Sequence, residues 1–453
     1  MLSAGTTMST HLSGGYISYK VSSGTRVEIT VNLLTDATGV TPGSGMLDLG
    51  DGNTVESLSN PTVVPLAFDV NLVSFSINHS YSTPGLYLIS YAEDNYNENV
   101  NNLSESVHTP FYISTRLLID PSIEENHSPL MKLFQAQRGA SGKVQRINPA
   151  PHDLDGDSLS FSVIVPGGDR QSSLTNYTAP NNESLYNEQS GTGVEPPRYI
   201  INSSTGEILW DASDVVGEFV FAYKIVQWRK FQDDWKDVGL TEVIMMNIVL
   251  EEHEELSTIA PEIQCFGDTQ DVSGQFSLTA SGNQQAVARV FTNLPAGTIN
   301  GVAFTENVLK IDYSEATTLN LSLPEGLELE PFRVYRVIVN IEGNHLIQSS
   351  SWAFALGCSE LPGYILDVRS DSNVKPEFTI FPNPTYKHII NLQFPDNKEK
   401  LREIKIMNIR GRILYHQQGY FSGKLLSLDL PALKEGVYIV KVDDQVQKFI
   451  ARR

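Results

Sequence analysis

Short runs of alternating apolar and polar residues recur along most of the chain, and Gly, Pro, Asn and Asp separate them. Residues 27–33 show this alternation clearly, and residues 308–313 and 335–340 repeat it far downstream. A period of two residues predicts β-strands with one buried face, and the longer period of amphipathic helices is nearly absent. The pattern therefore predicts an all-β fold made of tandem Ig-like β-sandwich domains, with a small β-sandwich at the C-terminal end.

The chain of 453 residues is too long for one hydrophobic core. Its predicted strands fall into four groups with one connector between the third and the fourth. The predicted segments are residues 1–118, 119–256, 257–360, the connector 361–377, and 378–453. Residues 167–198 are rich in Ser, Asn, Thr and Pro and lack alternation, so we expect a long loop inserted in the second segment.

The last segment contains several spaced motifs. A strand predicted at residues 378–381 has to end at the Phe-Pro-Asn-Pro motif, because each proline lacks a backbone donor. A Gly-x-Tyr strand and a Lys-Phe-Ile strand follow near the C-terminal end. The motif residues are Pro382, Asn383, Pro384, Gly436, Tyr438 and Lys448. Together they resemble the type A C-terminal sorting domain of the Bacteroidetes type IX secretion system.

This resemblance implies an exported protein whose C-terminal domain is recognised by the type IX secretion machinery. It also implies a location outside the cell, either on the outer surface or in the medium. Residues 8–19 resemble the mature start of large Bacteroidetes surface proteins. We therefore expect a signal peptide that was trimmed, or that was missed when the start codon was assigned.

Two of the upstream segments resemble known extracellular domains. The first contains Asp-x-Gly-Asp-Gly at residues 48–52 and His-x-Tyr-x-x-x-Gly-x-Tyr at residues 79–87, which resembles a PKD domain. The second combines Asp-x-Asp-Gly-Asp at residues 153–157 with a Thr-Gly-x-Ile hairpin at residues 205–208, which resembles the cadherin-like Ig domains of bacterial surface proteins. The third segment shows strand alternation without a recognisable family.

The net charge of −21 is unevenly distributed along the chain. Residues 378–453 carry +6, which leaves −27 for the rest. An acidic surface disfavours nucleic acid and anionic membranes as partners and is compatible with divalent cations. Simple solubility of an extracellular protein is an equal explanation for the excess.

Alternating carboxylates in the second segment suggest a cation site. Asp153, Asp155 and Asp157 lie in a loop bent by glycine, where their oxygens can converge on one hard cation. Glu125, at the start of the segment, is a candidate fourth ligand. The prediction is a Ca²⁺ site, and the alternative is an Asp-Gly turn whose carboxylates accept hydrogen bonds from loop amides.

Aromatic and sulfur-containing residues give two further predictions. Trp228 and Trp235 lie close together in the chain, so they are candidates for stacking on sugar rings, with ordinary core packing as the alternative. Cys265 and Cys358 are the only cysteines, and they bracket the third segment. In an exported protein they predict a disulfide, and two buried thiols are the alternative.

No segment nominates a catalytic centre. Residues 156–159 spell Gly-Asp-Ser-Leu, but the parallel α/β sheet and the late Asp-x-x-His motif of that lipase family are missing. We therefore expect a protein that is not an enzyme and that acts in adhesion or in extracellular structure, with itself as a partner in a fibre or with surface glycans. The alternative is a glycan-binding accessory module or a component of a carbohydrate-active enzyme.

Overall fold

The computed structural model describes residues 12–39, 41–123, 125–186, 197–202, 204–231, 234–251, 256–261, 264–266, 272–280, 285–304, 308–314, 316–330, 333–343, 345–357, 364–365, 378–381, 389–394, 400–408, 413–421, 425–430, 433, 436–442 and 445–451. The chain divides into two compact units, residues 1–365 and residues 366–453. The described residues contain strands and two single turns of 3₁₀-helix, at Ser106–His108 and Glu183–Leu185. The predicted all-β fold is confirmed.

The described residues of the first unit form 28 strands. In chain order they are β1 (Leu12–Ser23), β2 (Arg26–Asp36), β3 (Met46–Asp48), β4 (Thr54–Glu56), β5 (Thr62–Pro65), β6 (Val70–Ser80), β7 (Gly85–Glu93), β8 (Phe111–Ile119), β9 (Leu130–Met131), β10 (Gln137–Ala140), β11 (Val144–Ile147), β12 (Pro151–His152), β13 (Ser158–Val163), β14 (Tyr199–Asn202), β15 (Ile208–Asp211), β16 (Gly217–Phe231), β17 (Asp234–Leu250), β18 (Leu256–Ile259), β19 (Gln264–Phe266), β20 (Gly274–Ala280), β21 (Gln285–Thr292), β22 (Thr298–Ile299), β23 (Val302–Ala303), β24 (Leu309–Ser314), β25 (Ala316–Ser322), β26 (Tyr335–Gly343), β27 (Leu346–Leu356) and β28 (Tyr364–Ile365).

The largest sheet joins the first two predicted segments. Its main path runs β4-β3-β7-β8-β17-β1-β2-β6-β5, and β10, β13 and β16 are attached to it. One edge of β17 pairs with β16, and the other edge pairs in succession with β8, β1 and β10. The sequence predicts a boundary after residue 118, but strands from both sides of that position share this sheet. Pairing between strands so far apart in the chain cannot be predicted from the local alternation of apolar and polar residues.

Two hydrophobic cores lie on this sheet. One contains residues of β1, β2 and β8 such as Ile17, Ile29 and Ile113. The other is built around Trp210, whose ring packs on those of Phe219 and Phe221 at centroid distances of 5.1 and 4.9 Å. The second core holds β13 and β16 in place, and these strands carry the residues of the candidate site.

The third predicted segment forms two five-stranded sheets, β18-β20-β25-β22-β23 and β19-β27-β26-β21-β24, around a core that includes Trp352 and Phe354. Buried hydrogen bonds connect this segment to the second. The amide N of Asn148 donates to Ser349 Oγ at 3.0 Å, and Asn148 Nδ2 donates to Ser351 Oγ at 2.9 Å. These buried hydrogen bonds fix the positions of the second and third segments relative to each other. The candidate site lies between the two segments.

The predicted connector and the predicted insertion differ in how they contact the fold. Residues 364 and 365 of the connector form β28, which pairs with β14 and extends its sheet by one strand. The described part of the insertion has irregular backbone apart from one 3₁₀ turn, as the sequence predicts. Tyr186 in this loop donates to the carbonyl oxygen of Pro180 at 2.9 Å and accepts from Trp210 Nε1 at 3.0 Å, so the loop is attached to the second core.

The second unit is a small β-sandwich. Its strands are β29 (Thr379–Phe381), β30 (Ile389–Gln393), β31 (Lys400–Asn408), β32 (Ile413–Phe421), β33 (Leu425–Asp429), β34 (Gly436–Val442) and β35 (Gln445–Ala451). They form the sheets β29-β30-β33 and β32-β31-β34-β35 over a core that includes Ile390, Val440 and Phe449. Among the described residues of either unit, no helix is long and apolar enough to cross a membrane.

Candidate functional site

The predicted aspartate loop, residues 153–157, connects β12 to β13. Asp153 is buried, and its Oδ1 accepts hydrogen bonds from the amides of Asp155 and Asp157 at 3.0 and 2.9 Å. Gly156 has a φ of 79°, a backbone conformation that residues with a Cβ rarely adopt. The loop therefore folds around Asp153, and this matches the alternative expected from the sequence, a turn held by a carboxylate.

Arg229 in β16 reaches the two outer aspartates. Its Nε and Nη2 donate to the two oxygens of Asp157 at 2.7 and 2.8 Å, and Nη2 also donates to Asp155 Oδ2 at 2.8 Å. The Nη1 atom donates to the backbone carbonyl of Glu125. Burial alone lowers the pKa of Arg229, but Asp157 and Asp155 outweigh that effect and raise it above its usual value. One guanidinium thus connects both aspartates to the start of the segment.

His127 contacts the same loop from another side. Its Nδ1 lies 2.5 Å from Asp155 Oδ1, and its amide donates to Asp155 Oδ2 at 2.6 Å. Gln227 Nε2 donates to Asp153 Oδ2 at 2.8 Å and to the carbonyl oxygen of His127 at 2.6 Å. The buried hydroxyl of Tyr19, from β1, donates to Gln227 Oε1 at 3.3 Å. The aspartate loop is therefore part of a network that extends into the large sheet.

Asp153 is the most perturbed carboxyl group of the loop. Burial raises its pKa from 3.8 to about 7, and the neighbouring charges of Asp157 and Asp155 add to this effect. Hydrogen bonds from the amide of Asp157 and from Gln227 oppose it. The carboxyl group is consequently close to half protonated at neutral pH.

The residues of the loop can be compared with the needs of a Ca²⁺ ion. One oxygen from each of Asp153, Asp155 and Asp157 lies within 4.8 Å of the others, and Glu125, His127 and Asp155 form a second group of this kind. Calcium requires six to eight oxygen ligands. The oxygens of the three aspartates are already engaged by Arg229, His127, Gln227 and loop amides. In this arrangement the loop does not fit Ca²⁺, and calcium stays a prediction that depends on displacing Arg229.

Arg229 and His127 were not predicted from the sequence. Arg229 carries a positive charge in an otherwise largely apolar strand, and His127 lies in the Glu-Asn-His-Ser-Pro motif that opens the second segment. Both features are visible in the sequence. Neither of them indicates the contact with the aspartate loop, because the contacting residues lie far apart in the chain.

A cleft of about 430 Å³ opens beside the aspartate loop, between β16 and the third segment. Its lining includes the three aspartates of the loop, Glu330, His152 and Trp228, together with the four cations Arg229, Lys230, Arg333 and Arg336. Trp228 is half-buried, and its Nε1 donates to Ser160 Oγ at 2.8 Å. The structure therefore places one of the two predicted tryptophans at a cleft. The side chain of Trp235 lies outside the described part of the chain.

Arginines of the third segment form the other wall of the cleft. Arg336 is only 8% exposed; its Nε donates to the carbonyl oxygen of Ser204 at 2.5 Å, and its guanidinium lies 5.6 Å from the ring centroid of Phe161. Burial lowers the pKa of Arg336 to about 10, although the charge of Asp153 opposes the change. Arg333 lies at the mouth of the cleft and forms an ion pair with Glu330 at 3.0 Å.

Cys265 of β19 is disulfide-bonded. The only other cysteine of the chain, Cys358, lies outside the described residues. Cys265 pairs with Ala355 in a parallel register between β19 and β27.

The second unit is matched by a family model. The model is the secretion system C-terminal sorting domain, and it matches residues 379–452. The chain carries a secretion system C-terminal sorting domain. It is therefore a type IX secretion substrate that is exported to the cell surface or the extracellular space, as the sequence predicts.

The motif residues of the sorting domain are described in part. Tyr438 is buried, and its ring stacks on that of Phe449 at 5.5 Å. Gly436 has a φ of 156° at the start of β34, and the backbone of Lys448 pairs with Ile439. Pro382, Asn383 and Pro384 lie outside the described residues. Of the predicted motif residues, Tyr438 thus belongs to the core of the domain, and Gly436 begins the strand that contains it.

Comparisons with other proteins add little about the upstream segments. No curated protein matches the chain. Among solved structures, trypsin-activated α-2-macroglobulin from Escherichia coli shows 13% identity and a TM-score of 0.19, with 97% of this chain and 30% of that chain covered. The BSP domain of a biofilm-associated protein shows 7% identity and a TM-score of 0.14, with 100% and 99% covered. The D1–D4 ectodomain fragment of ICAM-5 shows 9% identity and a TM-score of 0.13, with 96% and 98% covered. The chain spans less than a third of the α-2-macroglobulin, and no functional statement follows from such TM-scores.

Proposed function

We propose that the protein acts outside the cell as a non-enzymatic adhesion or structural protein. The observation that carries this proposal is that each carboxylate lining the cleft is already paired with, or hydrogen-bonded by, another group of the protein. Asp155 and Asp157 are paired with Arg229, and Glu330 is paired with Arg333. The remaining one, Asp153, is hydrogen-bonded by Gln227 and two loop amides.

This engagement favours binding over catalysis. Hydrolysis of a glycosidic bond needs one carboxyl group that donates a proton and a second that acts as nucleophile or base. Within the described residues of the cleft, each carboxylate has a fixed partner inside the protein. A rigid, charged cleft with an aromatic wall suits recognition of an extracellular ligand, and the sorting domain brings the cleft to the place where such ligands occur.

Self-assembly is a second way in which the protein could act in adhesion or structure. The edge strand β5 is exposed along its length, and Val63 and Val64 are 47% and 46% exposed. Its inner edge pairs with β6, and its outer edge has no partner strand in the described part of the chain. Such an edge can pair with a strand of another copy and so support a fibre.

Surface attachment tests the proposed function directly. A strain that lacks the gene is compared with the parent and with a complemented strain for attachment to solid and polysaccharide-coated surfaces. We expect fewer attached cells, and restoration by the complementing gene. In parallel, the purified protein is incubated with a panel of polysaccharides, and the release of reducing ends is measured. Unchanged attachment together with hydrolysis would overturn the proposal.

The alternative function is that of a glycan-binding accessory module or a component of a carbohydrate-active enzyme. Trp228 in the cleft favours glycan contact, since an aromatic face can pack on a sugar ring. Binding of a glycan without release of reducing ends is compatible with adhesion and with an accessory role. Loss of attachment in the deletion strain then decides in favour of adhesion.

A further inference from the structure

We propose that the cleft binds the carboxylate of an acidic sugar at the end of a glycan chain, with Arg336 as the residue that receives the carboxylate and Trp228 as the wall against which the ring packs. This inference rests on the proposed binding function and specifies its ligand class. It assigns a ligand-binding role to the buried Arg336, in addition to its contacts with Ser204 and Phe161.

The first argument is the position of Arg336. Its side chain is nine-tenths buried and lines the cleft, and no carboxylate of the described residues lies within ion-pair distance of it. Its Nε is hydrogen-bonded to the carbonyl oxygen of Ser204, which fixes the direction of the guanidinium. A buried cation without an anionic partner is unfavourable, so a site of this kind is completed when an anion binds. The planar fork of Arg fits a carboxylate with two parallel hydrogen bonds.

Asp153 is the carboxylate in the cleft that could compete with a ligand. Its charge acts on Arg336, but both of its oxygens are turned toward Gln227 and the amides of the loop. Asp155 and Asp157 share the guanidinium of Arg229, which holds both carboxylates in place. The aspartate loop is therefore satisfied within itself, and Arg336 keeps its capacity for an incoming anion.

The surroundings of His152 provide an independent observation. This imidazole lines the cleft together with Arg333 and Arg336 of the third segment. Lys230, an exposed residue of β16, adds another positive charge to the lining. The lining as a whole carries four cations and four carboxyl groups, so the attraction of an anion depends on Arg336 itself and not on an excess of positive charge.

The acidic surface limits the type of ligand. A long polyanion would be repelled by this surface, whereas a single carboxylate on a chain end can reach Arg336 in the cleft. The volume of about 430 Å³ is within the range of sites for small ligands. Trp228 of β16 and the arginines of the third segment line the same cleft, so the indole can contact the ring of a sugar whose carboxylate binds Arg336. A terminal uronic acid has this combination of ring and charge.

The inference can be tested by calorimetric titration of the full-length protein with three trisaccharides. The probes are trigalacturonic acid, neutral galactotriose and sulfated galactotriose, each at the same ionic strength. We expect the acidic trisaccharide to bind at least tenfold more tightly than the neutral one, and more tightly than the sulfated one. Equal affinity for the acidic and neutral sugars, or tighter binding of the sulfated sugar, would overturn the assignment of a carboxylate.

Variants show whether binding takes place in the cleft. We expect Arg336→Met to weaken binding of trigalacturonic acid a hundredfold or more, and Lys230→Gln to weaken it a few-fold. Because Arg336 is buried and its loss can impair folding, Trp228→Leu and Lys230→Gln provide a second measurement at half-buried and exposed positions. Lys310→Gln is the matched control, since Lys310 is 53% exposed and pairs with Asp312 on β24. Affinity that is unchanged in Trp228→Leu and Lys230→Gln would place the sugar elsewhere.

The outcomes for the cleft and for the proposed function are separable. If trigalacturonic acid does not bind but the deletion strain loses attachment, the ligand assigned to the cleft is wrong and the adhesion function is supported. If the sugar binds with the expected dependence on Arg336 but attachment is unchanged, the ligand class is supported and the adhesion function is wrong.

Discussion

Arg229 donates two hydrogen bonds to Asp157, from Nε to Oδ1 at 2.7 Å and from Nη2 to Oδ2 at 2.8 Å. The two side chains are 18% and 3% exposed, so the pair lies largely out of contact with water. Two parallel hydrogen bonds between planar groups make the pair both strong and specific in direction. This pair therefore fixes the conformation of the aspartate loop and the availability of its carboxylate oxygens.

Removal of the arginine should destabilise the first unit. Arg229→Gln leaves Asp157 buried without its positive partner and leaves Asp155 with His127 only, and the loss of one member of a buried ion pair costs about 3 kcal/mol or more. The free energy of unfolding, measured by urea denaturation, should fall by that amount. Arg116→Gln is the control, because Arg116 pairs with Asp237 at 28% and 34% exposure and should cost less than about 1 kcal/mol. Equal costs for the two variants would contradict the buried pairing.

The same substitution should change the response to calcium. In the parent protein, Arg229 holds the aspartate oxygens that a Ca²⁺ ion would need, so we expect the same melting temperature in millimolar Ca²⁺ and in chelator. In Arg229→Gln the oxygens of Asp155 and Asp157 are released, and Ca²⁺ should raise the melting temperature by binding to the folded state. A fall in the melting temperature of the parent protein on chelation would show that the loop holds a cation despite Arg229.

The neighbours Asp153 and His152 should give stability opposite dependences on pH. The pKa of Asp153 is raised from 3.8 to about 7, so below pH 7 the folded state holds a proton that the unfolded state releases above pH 4. Its contribution is complete below pH 4 and is lost as the pH rises through 7. The pKa of His152 is lowered from 6.5 to about 4, so its contribution is present above pH 6.5 and is lost as the pH falls through 4.

Two variants separate these contributions. Unfolding free energies are measured by urea denaturation between pH 4 and 8. Asp153→Asn should gain stability relative to the parent protein as the pH rises across this range. His152→Phe, which keeps an aromatic ring against Phe291, should gain relative stability as the pH falls. Curves for the two variants that run parallel to that of the parent would show that neither group has a shifted pKa.

The contact between β1 and β17 can be tested at one glycine. A Cβ on Gly14 would meet the carbonyl oxygen of Ile244 at 2.6 Å, and the residue has a φ of 153°. Gly14→Ala should therefore destabilise the first unit by about 3 kcal/mol, since the strands must separate. Gly24→Ala is the control, because Gly24 has a φ of 58° with nothing within 4 Å and should cost only about 1 kcal/mol of backbone strain. Equal melting temperatures for the two variants would argue against close packing of β1 on β17.

Local features of the fold could be read from the sequence because they depend on neighbouring residues. Alternation at residues 27–33 predicts a strand, and β2 contains it; the second half of β2 is buried on both faces because strands and covering segments surround it. The strands of the sorting domain were also predicted, since proline and glycine mark their ends. The third segment was recognised as strands without a family, and its sheets agree with that prediction.

Of the candidate site, only the aspartate loop could be predicted from the sequence. The aspartate loop was found from its spacing, but Arg229 was not, because the contact depends on the register between β13 and β16. Ser158 pairs with Trp228, so Asp157 lies next to Arg229 across the sheet. Arg336 and the cleft depend on how the second and third segments pack together. Periodicity along the chain contains no information on either relationship.

The central position of β17 has a consequence for the order in which the protein folds. A single edge of β17 receives β8, β1 and β10, so the early strands find their place only after the chain has been completed through residue 250. Contacts between such distant residues form slowly, because a long loop must close before any hydrogen bond is gained. The large sheet, and with it the strand that carries Arg229, is therefore completed only when residues 12 to 250 are all present in one chain.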